Sequence, residues 1–323
     1  MPVHVIEPGA LTTVQDLGRY GHAHLGISPG GAADRLSFRI GNRLVGNQEN
    51  TPALEMTLVG ATLEFEEHAI VSISGAECDC TLGACAVPAN SPLEVPPGGV
   101  LKCGGMKTGV RAYLTIRGGF DVPPVMGSAS THLGGRFGGL EGRRLQAGDV
   151  LKFPAARPLT PPHRLKEGAL SGWFDGTIRV CRGPQADWFA PEAYEILFSS
   201  TYSVSPQSDR SGLRLKGEAL PTRRQSPLLT DGNPLGGIQV PPDGQPIVLF
   251  VDQQTTGGYP KIACVITADM HRVGQLGPLD RVRFAGVEIP EALGLLRRQE
   301  QALQDMFVSL VNGSGGAGRK GHR

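Results

Sequence analysis

The chain has 323 residues, enough for one large β domain or two domains of ordinary size. Glycine (46) and proline (26) make up more than a fifth of it and are spread throughout. In helix interiors they cost about 1 and 3 kcal/mol each against alanine, which excludes a helical bundle, and no three-residue glycine period suggests collagen. A net charge of +1 with 19% charged residues gives no case for nucleic acid or an anionic membrane as partner. No apolar run reaches the roughly 18 residues of a membrane span.

The N-terminus MPVHVIEPGALTTVQD lacks the basic and apolar segments of a secretory signal. The six cysteines are scattered except for Cys78, Cys80 and Cys85 in CDCTLGAC, whose spacing fits no strong zinc pattern. We therefore expect a soluble cytoplasmic protein with reduced thiols and no metal.

Polar residues cluster early, in TTVQDLGRYG, which holds Gln15, Asp16, Arg19 and Tyr20. A helix is predicted over 34–46: Leu36, Ile40 and Leu44 form its apolar stripe, Asp34 opens it and Gly46 closes it. Arg35, Arg39 and Arg43 form a parallel basic stripe, read first as a solvated face and second as an anion or partner contact. Strands are predicted at 61–66, 69–74 and 111–117. GGRFGGLEG at 134–142 reads as turn.

A proline-rich linker is placed at 156–172, between an N-terminal domain over 1–155 and a C-terminal domain over 173–290. The second domain opens with a strand at 177–182 and a short helix at 186–198. Buried strands follow at 246–252 and 261–267. A long helix is expected over 291–310, within a C-terminal segment at 291–311, and a disordered tail over 312–323. LQAGDVLKF (145–153) and LGPLDRVRF (276–284) echo each other and close their respective halves.

The densest polar segment is GGIQVPPDGQPIVLFVDQQTTGGYPKIA. Asp252 and Gln254 leave an apolar strand and enter a Thr-Thr-Gly-Gly turn whose glycines let backbone N–H groups approach a ligand. Glutamine carries both donor and acceptor, which suits an amide or ureido group. Arg19, Arg111 or Lys261 could neutralise a carboxylate or a developing oxyanion. The alternative is that these groups only satisfy one another around a tight turn. Walker-type phosphate loops, HExxH, GxSxG and GxGxxG-helix motifs are absent.

The strings TTVQDLGRYG…GISPGGAADRLSFRIGNRLVGN, RAYLTIRGGFDVPPVMGSAST, SPQSDRSGLRL and GGIQVPPDGQPIVLFVDQQTTGGYPKIACVITAD closely resemble the biotin-dependent carboxyltransferase (allophanate hydrolase subunit 2) family. Within it the chain is most like the stand-alone bacterial C-type subunits of 5-oxoprolinase, also described as Kip-type inhibitor antagonists. The resemblance implies an all-β fold of two cyclophilin-like barrels, with a B-like subunit and an amidohydrolase-like A-type subunit as partners. It implies ATP-dependent opening of 5-oxo-L-proline to L-glutamate, with ATP bound wholly or partly on another subunit. On that reading Asp16 or Asp252 handles protons, and Arg19 and Lys261 neutralise charge. Gln239 and Gln254 bind the amide, Gly257 and Gly258 give N–H donors, and Gln15, Arg111, Thr255 and Tyr259 complete the substrate set. Biotin enters only under the alternative, carboxyl transfer to a urea-like amide; a further alternative is a non-catalytic regulator that binds a kinase-inhibitor partner. The chain departs from the family at Leu279, where glycine is usual, and at Thr230-Asp231-Gly232, where Ser-Glu-Gly is usual. Both departures are expected to lie away from the site.

Overall fold

A computed structural model describes residues 1–155, 163, 165, 177–223 and 228–312. Apart from His163 and Leu165, the linker placed at 156–172 lies outside these residues, as does the tail beyond 312. The all-β expectation holds: the chain is mostly strand and 19% helical.

The first half is a nine-stranded sheet that curls into a half-barrel. It runs β1 (Pro2–Glu7), β2 (Leu11–Gln15), helix α1 (Arg35–Leu44), β3 (Ala53–Thr57), β4 (Thr62–Phe65), β5 (Ala69–Leu82), β6 (Cys85–Ala86), β7 (Pro92–Val95), β8 (Gly99–Ile116) and β9 (Val150–Lys152). The spine is β8, 18 residues long, which pairs with β3, β4 and the 14-residue β5. Three register shifts in the β5–β8 ladder, between Gly75 and Cys80, break the alternation of inward residues. That is why only the two outer pieces, 69–74 and 111–117, read as strands in the sequence. Val3, Leu54, Leu63, Val71, Leu101 and Leu114 face the core of this half.

The second half continues with β10 (Thr177–Arg182), α2 (Pro191–Ser199), β11 (Tyr202–Val204), β12 (Gly212–Lys216), β13 (Asp231–Gly232), β14 (Gly237–Gln239), β15 (Ile247–Leu249), β16 (Thr256–Gly257), β17 (Lys261–Val265), α3 (Met270–Val273), β18 (Arg281–Gly286) and α4 (Ile289–Asn312). Seven of these strands close a barrel in the order β10-β17-β14-β15-β12-β11-β18. The echoed segments hold β9 and β18, but β9 pairs antiparallel with β1 whereas β18 pairs parallel with β10. The helix expected over 186–198 is two pieces. A short 3₁₀ turn spans Ala186–Trp188, and α2 starts anew at Pro191, whose missing N–H suits a first helical position.

α1 has the predicted caps. The Asp34 carboxylate accepts from the N–H groups of Leu36 and Ser37, and Gly46 takes a positive φ just past the C-terminus. The basic stripe is not a plain solvated face. Arg39 pairs with both carboxylate oxygens of Glu300 on α4 at 2.7 and 2.9 Å, and Arg43 lies over Phe307. Leu36, Ile40 and Leu44 pack on Leu303, Phe307 and Leu310, so the final helix straps the second half to the first.

Candidate functional site

The halves meet at a buried ionic seam. Arg210, which follows β11, donates Nε to Asp252 Oδ2 at 2.8 Å and Nη2 to Asp252 Oδ1 at 3.2 Å. Its Nη1 reaches Glu55 Oε1 on β3, and Nη2 also reaches the Gly31 carbonyl at 2.8 Å. Glu55 Oε2 accepts from Tyr113 Oη and from the Ala33 N–H, both at 2.8 Å. Arg210 and Glu55 are nearly inaccessible to solvent. Burial lowers the pKa of the Arg210 guanidinium, but Asp252 and Glu55 together outweigh it and hold the pKa above the ordinary arginine range.

Beside the seam lies a cavity of about 930 Å³, open to both halves. Ser28 and His132 line it from the first half; Gln239, Gln253, Gln254 and Tyr259 line it from the second. The turn after β15 builds much of the second wall. The Gln253 N–H donates to the Phe250 carbonyl, which folds the chain back so that Asp252, Gln253 and Gln254 follow the apolar strand into the cavity. Gln239 is buried, and its Nε2 donates to Asn233 Oδ1 at 3.0 Å. Asn233 Nδ2 in turn donates to the Gln254 carbonyl at 3.1 Å. A Cβ on Gly257 would sit 2.8 Å from Gln239 Nε2 and from Asn233 Nδ2, so only glycine lets β16 approach this pair.

The predicted residues fall into three groups. Gln239, Gln254, Tyr259 and Asp252 share the cavity wall, with Thr255, Gly257 and Gly258 on the same turn. Lys261 stands behind that wall, opposite Gln239 in the β14–β17 register. Among the described residues its buried Nζ has no hydrogen bond, and Asp231 Oδ2 lies 3.8 Å from it. The Thr230-Asp231-Gly232 departure therefore touches a candidate residue, contrary to expectation. The Gly232 N–H, then Gln185 and Lys261, hold the Asp231 carboxyl below its usual range.

The third group sits deeper in the first half. Asp16 accepts from Ser128 Oγ, Ser130 Oγ, the Gly18 N–H and the Ala129 N–H at 2.5–2.8 Å, so both its oxygens are committed to shaping the 128–131 loop. Gln15 donates to Thr13 Oγ1 and the Thr131 carbonyl. Arg19 stacks on Phe137 at 4.8 Å and donates to the Ser130 carbonyl, while its buried Nη1 has no partner. Burial lowers the pKa of the Arg19 guanidinium, and Asp16 and Asp252 offset part of that. A Cβ on Gly30 would lie 3.4 Å from Arg19 Nη1 and 3.5 Å from Asp252 Oδ1, so one glycine separates this group from the cavity wall. Arg111 is in the seam, not on the cavity wall: its Nη1 donates to the Gly274 carbonyl at 2.6 Å and its Nε lies 3.8 Å from Glu55.

Comparison with known proteins places this architecture. Residues 25–286 match the carboxyltransferase domain, subdomains A and B. The chain belongs to the carboxyltransferase-domain family. It is 40% identical to the C subunit of 5-oxoprolinase from Escherichia coli over 308 residues, covering 95% of this chain and 98% of that protein. It is 35% identical to urea amidolyase of Saccharomyces cerevisiae over 324 residues, which is 94% of this chain but 18% of that protein. The crystal structure of the urea amidolyase of K. lactis superposes with a TM-score of 0.89 at 34% identity, over 94% of this chain and 20% of that one.

Three residues of this carboxyltransferase-domain chain escaped the sequence reading, Ser28, His132 and Arg210, and Gln253 was read only as part of the polar segment, with no role. Arg210 was within reach, as the one arginine in a polar SPQSDRSG turn. Ser28 and His132 were not, because they lie 104 residues apart and only the fold brings them together.

Proposed function

We propose that the chain is the C-type subunit of an ATP-dependent 5-oxoprolinase, acting with A-like and B-like subunits to open 5-oxo-L-proline to L-glutamate. The observation that carries this reading is the seam cavity, whose lining includes Gln239, Gln253, Gln254 and Tyr259. Such a wall matches a planar N–C=O group donor for acceptor. The correspondence with the C subunits of other 5-oxoprolinases over nearly their whole length supports it, whereas the urea amidolyases match over about a fifth of theirs.

On this reading Gln239 and Gln254 hold the lactam amide. The Lys261 ammonium, behind Gln239, adds positive potential where carbonyl oxygen charge builds. Asp252 is clamped by two Arg210 donors, so it orients the wall. The cavity does not fit a triphosphate: no lining residue lies in a helix, and Asp209 and Asp243 accompany Arg214 and Lys216. We therefore place ATP on a partner subunit. The same wall would suit a urea-like amide, the reading favoured by the urea amidolyase match; biotin and its carboxylation would then come from other chains.

The test is a reconstituted mixture of this chain with its A-like and B-like partners, assayed for ATP-dependent glutamate formation. Omitting the chain should abolish turnover, and Gln239→Ala should lower kcat/KM at least tenfold. Turnover that does not need this chain would overturn the proposal. Glutamate formation unchanged in Asp252→Asn would remove Asp252 from any catalytic role. Carboxylation of urea from a carboxybiotin donor would favour the second reading.

A further inference from the structure

Ser28 and His132 form a hydrogen-bonded pair on the cavity wall that the reading above does not use. The loop carrying Ser28 docks on the glutamine turn: the Gly30 N–H donates to the Val251 carbonyl at 3.0 Å, and Arg210 Nη2 binds Gly31 O. His132 is fixed from two sides. Its ring stacks on Phe137 at 4.9 Å and 3°, and its Nδ1 accepts the Gly135 N–H at 2.8 Å. An Nδ1 that accepts must carry a lone pair, so the proton of the neutral imidazole is on Nε2. Nε2–H therefore donates to Ser28 Oγ at 3.0 Å. With its oxygen accepting from His132, the buried Ser28 hydroxyl has its own proton to give. On the same cavity lining, the Gln253 amide makes no side-chain hydrogen bond among the described residues; its Oε1 is buried and orphaned. A buried polar group without a partner is destabilising, and a ligand can relieve that.

We infer that Ser28, oriented by His132, donates its hydroxyl proton to the carbonyl oxygen of an amide ligand in this cavity. The Gln253 carbonyl oxygen accepts from the amide N–H of the same ligand. Ser28 is thus a binding residue and His132 a positioning residue. A neutral hydroxyl suits a carbonyl oxygen. The inference rests on the cavity being an amide site, and it names the groups that read the two polar ends.

Ligand-observed NMR titration of the full chain tests it, with 5-oxo-L-proline, 2-pyrrolidinone and urea as probes. Ser28→Ala should weaken 5-oxo-L-proline and 2-pyrrolidinone alike by about tenfold, and Ser28→Thr should restore binding. His132→Phe keeps the stack, leaves Ser28 in place and should weaken both about threefold; it also serves should Ser28→Ala not fold. In the reconstituted complex the Ser28→Ala loss should appear in kcat/KM. Equal affinity in wild type, Ser28→Ala and His132→Phe overturns the inference while leaving the 5-oxoprolinase reading intact. A loss with 5-oxo-L-proline but not with 2-pyrrolidinone overturns the carbonyl assignment. If urea alone binds and does so in a Ser28-dependent way, the inference stands and the 5-oxoprolinase reading falls. Absence of binding by every probe to the wild type overturns both.

Discussion

Leu279 has a φ of 73° and is largely exposed, with its N–H held by the Val204 carbonyl at 2.8 Å. That left-handed conformation costs a leucine about 1–2 kcal/mol, and packing returns little to so exposed a side chain. Leu279→Gly removes the strain but frees the unfolded chain, so we expect a net stabilisation of about 0.5–1 kcal/mol. A higher urea midpoint with an unchanged slope would show it. The sequence pointed to this position as one where glycine is usual; only the backbone angle explains why. Gly138 is the reverse case. A Cβ there would meet Ser130 O at 2.1 Å and Arg19 Nη2 at 2.8 Å, so Gly138→Ala should push the Arg19 guanidinium off Phe137. The turn assigned to GGRFGGLEG thus supports a candidate residue, a role that lies in the packing and not in the string. Gln239 and Gln254 were found because they flank a visible strand-to-glycine transition. Ser28 and His132 carry no local signal at all.

Among the elements, α4 shows how far periodicity reaches. Its helical pattern was plain, but its partner was not, since Arg39 and Glu300 are 261 residues apart. The Arg39 hydrogen bonds hold the Glu300 carboxyl below its usual range. A depressed carboxylate stabilises above its unfolded value, near pH 4.3, and that stability is lost as the pH falls through the lower folded value. We therefore expect α4 to loosen below about pH 4, with faster amide exchange over 289–312, while the barrel strands stay protected. Arg39→Ala should produce the same loosening at neutral pH; unchanged exchange in that variant would show that Leu303, Phe307 and Leu310 hold the helix unaided. Strand pieces were readable where alternation survived, as at 177–182, and lost where bulges broke it, as between Gly75 and Cys80.

For the molecule as a whole, the seam joins two differently closed sheets through Arg210. Removing one member of a buried ion cluster leaves the others uncompensated, at a cost of about 3–5 kcal/mol. Arg210→Ala should lower global stability by that amount in urea unfolding and split one transition into two, because Glu55 and Asp252 would lose the cation that bridges them, leaving Glu55 only the longer Arg111 contact. Retention of a single transition would show that the remaining contacts, α4 and the Arg111–Gly274 bond among them, couple the halves without Arg210. The barrel itself closes late. Its last strand, Arg281–Gly286, pairs with β10 on one side and β11 on the other. During synthesis on the ribosome, these two strands must wait with bare edges until residues 281–286 have been made. A nascent or truncated chain ending before residue 281 would present two open templates for intermolecular pairing. Prematurely terminated forms should therefore aggregate through the second half, whereas the first half already has all its strands.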